Sequence, residues 1–177
     1  VTYLLFFGQI KSAKRLDVLL HSMPLVKGKV ELVIAGRPWK EDFSKYDKLI
    51  KDLSIEGKVN KHIRFVTDQE REYFMKACDI IILPYEEVYQ SAALLMAMSY
   101  GLAPITSNID SFKEVIRQQG NGLMFESLNS EDLAQKINLL TTNQLLLEQI
   151  KKGALNSIAS EFSWVNIACQ YKKTLNL

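Results

Sequence analysis

Cysteine and histidine are scarce in this 177-residue chain, with two of each. Cys78 and Cys169 are far apart and fit no metal-ligand spacing, so a reduced, cytosolic setting is the simpler expectation. His21 and His62 have no partner residues around them and read as structural. No Ser/His/Asp nucleophile set and no metal-ligand cluster is visible in the pattern. Long apolar runs are missing too: nothing is long enough to span a bilayer, and no signal-peptide pattern opens the chain. Excess charge of one sign is also absent. The net charge is +2, which implies no strong pull on nucleic acid. The basic residues are spread out apart from a modest group at Lys11, Lys14 and Arg15. There is no internal repeat, low-complexity tract or linker, and 177 residues suit one domain with a sizeable core. The chain opens directly on a strand-like run, so a piece of a longer polypeptide is expected.

The stretch Asp79–Thr106, DIIILPYEEVYQSAALLMAMSYGLAPIT, organises the rest. Ile80–Leu83 is continuous and rich in β-branched residues, as in a parallel strand covered on both faces. Pro84 ends strand pairing, and Tyr85–Gln90 form a polar loop. Ser91 can cap a helix running through Ala92, Ala93, Leu94, Leu95, Met96, Ala97 and Met98. That helix is apolar all round and is expected to be buried. Gly101 stops it, and Ala103–Thr106 returns as a strand. The helix begins at the carboxyl edge of a parallel strand, where ligands bind in open α/β sheets. Its first amides lack intrahelical partners and sit at the positive end of the helix dipole, so Gln90 and Ser91 could cradle a phosphate. An ordinary sheet-packing helix with a serine cap is the competing reading.

Elsewhere strand and helix patterns alternate. Tyr3–Phe7, Glu31–Ala35, His62–Val66 and Leu123–Phe125 read as strands, with Phe6, Phe7 and Phe65 as strand core. Helices are expected from Lys14 to about Met23 and over Asp42–Leu53. A third covers Gln69–Ala77 under an Asp68 cap, and a short one Ser111–Gln118. The last three run from a Ser130 cap to about Leu140, then over Asn143–Ile158 and Phe162–Leu175. Such alternation implies an α/β, Rossmann-like three-layer domain: a roughly six-stranded parallel sheet with helices on both faces and extra C-terminal helices. Right-handed crossovers are expected throughout.

In order and spacing, several segments resemble the C-terminal, nucleotide-sugar-binding half of family 4 retaining glycosyltransferases, which have the GT-B fold. FFGQIKSAKRLDVLL is similar to that family's opening strand, loop and helix. IRFVTDQEREYFMKACDIIILPY is similar to its central strand–helix–strand, and YQSAALLMAMSYGLAPITSN to a branch in which a Gln-Ser pair opens the buried helix. SFKEVI and NGLMFESLNSEDLAQKI match what usually follows, and Phe162–Trp164 resembles the start of the closing helix.

The resemblance implies transfer of a sugar from a UDP- or GDP-linked donor to a glycan, lipid or small-molecule acceptor, with retention and without a metal or other cofactor. It places the donor above Gly8, Thr67 and Ser91. Lys14 would hold the diphosphate, and Gln9 stands where the family usually has a second cation, an arginine. Tyr89, Gln90 and Ser91 would meet the phosphates mostly through backbone amides, and the base would lie near Thr67 and Asp68. Two glutamates that many members carry are Val88 and Met96 here, and Met96 cannot accept a hydrogen bond from a ribose hydroxyl. Arg15 is expected on the surface. The acceptor would bind an N-terminal domain of the same polypeptide, and a peripheral membrane contact would run through that half. This chain alone is expected to be inactive and cytoplasmic. A nucleotide-binding or interaction domain without catalysis, and a nucleotide-sugar epimerase of the same fold, are the alternatives.

Overall fold

The computed structural model describes residues 1–40 and 42–175. Six parallel strands form one sheet: β1 (Thr2–Phe7), β2 (Val30–Ala35), β3 (Val59–His62), β4 (Ile80–Leu83), β5 (Ala103–Ser107) and β6 (Leu123–Phe125). The helices are α1 (Leu16–Ser22), α2 (Ser44–Asp52), α3 (Asp68–Ala77), α4 (Ala92–Ser99), α5 (Asp110–Lys113), α6 (Ser130–Thr142), α7 (Gln144–Ser160) and α8 (Trp164–Thr174). The strand order is β3-β2-β1-β4-β5-β6. The chain winds outward from β1 to β3 and then crosses back to β4. The carboxyl ends of β1 and β4 therefore flank the point where strand order reverses, the crevice in which doubly wound sheets bind ligands.

Alternation along each strand divides the core into two layers. Leu4, Phe6, Leu32, Ile34, Ile80 and Ile82 point to one face, where α1, α2 and α6 cover them. Leu5, Phe7, Val33, Ala35, Ile81 and Leu83 point to the other, under α3, α4 and α5. All four β4 residues are 0 % exposed, and each such side chain contributes about 1.5–3 kcal/mol of burial. Asp79, just before β4, accepts from the Tyr3 amide at 3.0 Å and from Lys151 Nζ at 2.9 Å, which ties β1 and α7 to the amino end of β4.

Five expectations are corrected. The third strand is Val59–His62, not His62–Val66. It pairs with β2 only as far as Ala35↔His62, and residues beyond have no strand to meet. An edge strand can be polar, so the apolar run misled: Phe65 is 67 % exposed and is not strand core. Thr67, not Asp68, caps α3, because its hydroxyl accepts from the Glu70 amide while the Glu70 carboxylate accepts from the Thr67 amide. Asn129, not Ser130, caps α6, accepting from the Glu131 and Asp132 amides. Helix α4 buries only one side, Leu94, Ala97 and Met98, while Leu95 is 36 % exposed. Helix α8 buries no residue.

Candidate functional site

One wall of the crevice is the loop after β1. Gly8 leaves the strand with φ +99°, and Gly36 on the adjacent strand end approaches so closely that a Cβ there would meet the Gly8 carbonyl. The chain then forms a single tight turn over Ser12–Lys14, and Arg15 enters α1 with φ 47°. This backbone turns Lys14 back over the strand end. Lys14 Nζ donates to the Phe7 carbonyl at 3.4 Å and lies 5.0 Å from the centroid of the Tyr85 ring. Among the described residues no carboxylate pairs with it. Burial, and secondarily the charge of Lys11, lower the Lys14 pKa to about 8.

Arg15 is not the surface residue expected from the sequence. Its side chain is 27 % exposed and donates to both Asp17 oxygens, at 3.0 and 2.8 Å, and to Glu86 Oε2 at 3.0 Å. These bonds, to Asp17 first, raise its pKa further. The Glu86 amide also donates to the Ala13 carbonyl at 2.9 Å. The loops after β1 and β4 are thus joined twice, by backbone and by ion pair. A left-handed conformation costs a non-glycine residue roughly 1–2 kcal/mol, and the fork of bonds from Arg15 offsets it.

The second wall is the loop after β4. Tyr85 is 3 % exposed, and its carbonyl accepts from the buried Ser107 hydroxyl. Tyr89 is 100 % exposed, and Gln90 is exposed beside it. Ser91 caps α4 as expected, accepting from the Leu94 amide at 3.2 Å. The first turn of α4 carries no acidic residue. A pocket of about 540 Å³ lies between the walls, lined by Lys11, Ala13, Lys14, Tyr85, Glu87, Val88, Tyr89 and Gln90. A cleft of about 870 Å³ adjoins it at Ala13 and Glu87 and runs down between α1 and α2.

Of the residues singled out in the sequence, Lys14, Tyr89 and Gln90 line one pocket, with Gly8 beneath the Lys14 amine and Ser91 next to Gln90. Gln9 follows Gly8 and is half-buried. Met96 lies in the second turn of α4 and packs against the core layer rather than lining the pocket. Thr67 and Asp68 lie past the edge strand and do not line it either. Thr67 is closed into the α3 cap, and Asp68 pairs with Arg71 at 2.8 Å. Sequence reasoning missed Tyr85, Arg15, Glu86 and Glu87 as site residues. The charges of Arg15 and Glu86 were visible, but their pairing joins positions 71 apart in the chain.

The family model for glycosyl transferases group 1 matches residues 2–157 of this chain. The chain belongs to the glycosyl transferases group 1 family. An uncharacterised glycosyltransferase of Methanocaldococcus jannaschii is 26 % identical to this group 1 domain over an alignment 178 positions long, which covers 98 % of the chain and 44 % of the relative. The chain thus spans less than half the length of that curated relative. Among solved structures, the C-terminal domain of a Francisella tularensis glycosyl transferase group 1 family protein superposes with a TM-score of 0.82 at 19 % identity, over 92 % of this chain and 87 % of that one. The Anabaena protein HepE in complex with UDP gives a TM-score of 0.87 at 19 % identity, over 99 % and 49 % of the respective chains. These superpositions place the group 1 domain in the GT-B fold. Among its described residues no cluster of three or more His, Cys, Asp or Glu side chains could hold a metal ion, and no helix is long and apolar enough to cross a membrane.

Proposed function

We propose that this pocket binds the diphosphate of a nucleoside-diphosphate sugar, and that the domain supplies the donor half of a two-domain glycosyltransferase. The observation that carries the reading is the Lys14 ammonium: half-buried, with no carboxylate partner among the described residues, over a pocket that reaches Gln90 just before the acid-free first turn of α4. In transfer, the bond from the anomeric carbon to the donor's diphosphate oxygen breaks as the acceptor hydroxyl's oxygen bonds to that carbon and its proton passes to the departing phosphate oxygen. The electron pair leaves with the diphosphate. Lys14 and the first amides of α4 offset that developing charge without a metal ion. The donor is a uridine or guanosine diphosphate sugar, and the Anabaena neighbour's complex with UDP supports the first of these. The relatives' greater length supports an acceptor-binding domain elsewhere in the same polypeptide. In that arrangement the whole protein transfers sugar with retention, and the 177-residue chain alone binds donor but transfers nothing.

A domain that binds nucleotide without catalysis is the second reading. Its support is Met96, which packs on the core and has no carboxylate to offer a ribose. Titration calorimetry with UDP, GDP, uridine and guanosine tests both readings. Binding of a diphosphate in preference to its nucleoside is expected. No heat at millimolar ligand from folded protein overturns the donor site, and a longer protein that binds nucleotide but transfers no sugar favours the second reading.

A further inference from the structure

We propose that Tyr85 is a positioning residue for the donor's diphosphate: its ring face holds the Lys14 ammonium over the pocket in place of a carboxylate. The proposal rests on the donor-site reading above and adds to it the reason Lys14 stays available to an anion.

A half-buried lysine amine ordinarily finds a carboxylate. Here its neighbours are the Phe7 carbonyl at 3.4 Å and the Tyr85 ring, whose centroid is 5.0 Å away. That distance lies within the range in which a ring quadrupole attracts a cation. The charged groups nearby come from two loops and one helix. Lys11, on the same loop, repels the amine. Arg15 and the carboxylates of Asp17 and Glu86 are committed to one another. Glu87 lines the pocket without an ion pair to Lys14. A carboxylate at position 85 would neutralise the ammonium and compete with an incoming phosphate. An aromatic face stabilises the cation and offers no competing charge.

The ring is itself fixed. Tyr85 is 3 % exposed, its centroid is 5.7 Å from that of Phe112, and its carbonyl holds the Ser107 hydroxyl. Its own hydroxyl is buried with no hydrogen-bond partner among the described residues. A buried phenol left unsatisfied is costly, so the hydroxyl does not explain the residue. The ring does.

The test separates ring electronics from packing. Tyr85→Phe keeps the ring and removes the orphaned hydroxyl. Replacing Tyr85 by a trifluorinated phenylalanine keeps the shape and weakens the quadrupole. The Lys14 side-chain amine is titrated by nuclear magnetic resonance in the ligand-free chain, with its signal assigned by its loss in Lys14→Arg. The midpoint is expected near 8 in the natural chain, little changed in Tyr85→Phe, and lower by roughly half a unit in the fluorinated variant. Affinity for UDP or GDP should fall about threefold in the fluorinated variant relative to Tyr85→Phe, with uridine and guanosine unaffected. Equal midpoints in the two variants overturn the proposal, because a ring that only fills space would not distinguish them. A midpoint shift in a chain that binds neither nucleotide retains the ring–ammonium contact and overturns its assignment to a donor.

Discussion

Helices α3 and α4 begin in the same way and end up with opposite chemistry. Each follows a strand of the parallel sheet, and each is capped by a hydroxyl, that of Thr67 or Ser91, accepting from a first-turn amide. They differ in charge. The first turn of α3 contains Asp68 and Glu70, and Glu70 also receives Arg64 at 2.6 Å. The positive end of α3 is therefore occupied by its own side chains. The first turn of α4 is Ala92, Ala93 and Leu94, and two cations, Lys11 and Lys14, line the pocket beside it. A helix start that carries its own carboxylates has used its dipole internally, while one that carries none leaves it for a ligand.

The comparison breaks first at Lys14. Lys14→Ala should weaken UDP or GDP binding by about 1–2 kcal/mol, roughly five- to thirtyfold, and leave nucleoside binding unchanged. Equal losses for both in calorimetry would place Lys14 away from the phosphates. The next test gives α4 what α3 has. Ser91→Asp should preserve the cap and the thermal stability while lowering diphosphate affinity about fivefold or more, since the new carboxylate occupies the helix end. The reciprocal change at α3 should be silent in binding: Thr67→Ala should cost about 1 kcal/mol in denaturant unfolding with diphosphate affinity unchanged.

Two pH profiles carry smaller effects, and in both stability rises with pH, one in the alkaline range and one in the acid range. Burial holds Lys14 near 8, below its ordinary 10.5, so between those values the unfolded chain binds more protons and stability rises with pH. Lys14→Met should flatten that rise in unfolding experiments across the same window. The Arg64 bond, followed by those of Thr67, holds Glu70 at about 2, below its ordinary 4.5. Its contribution is present above 4.5 and lost as the pH falls toward 2, so Glu70→Gln should lessen the loss of stability on acidification through that range.

Much of the fold was legible because periodicity is local. The Ile80–Leu83 run announced a strand buried on both faces, and Ser91 before an apolar stretch announced a capped helix; both stand. The edge strand was misplaced because its register is set by β2, through Leu32↔Val59 to Ala35↔His62, and its own residues are largely polar. The α3 cap was missed by one residue. Threonine and aspartate are both good caps, and only the reciprocal Glu70 bond distinguishes them. Lys14 could be singled out in the sequence, whereas its pairing state could not.

By itself the sequence determined the alternation of strands and helices, the parallel sheet that follows from it, and the two loops from which a site could be built. Those properties depend on side chains a few positions apart, whose hydrophobicity and capping chemistry act within one element. Only the tertiary structure decided which residues of those loops meet. The strand order puts β1 beside β4, so Arg15 reaches Glu86 across 71 positions and the Tyr85 ring lies against the Lys14 amine. It also decided that Arg15 braces the pocket rather than facing solvent, and that Thr67 and Asp68 serve a helix end. Long-range pairings of this kind are fixed by how the two core layers pack the sheet, and they leave no periodic signal in the chain.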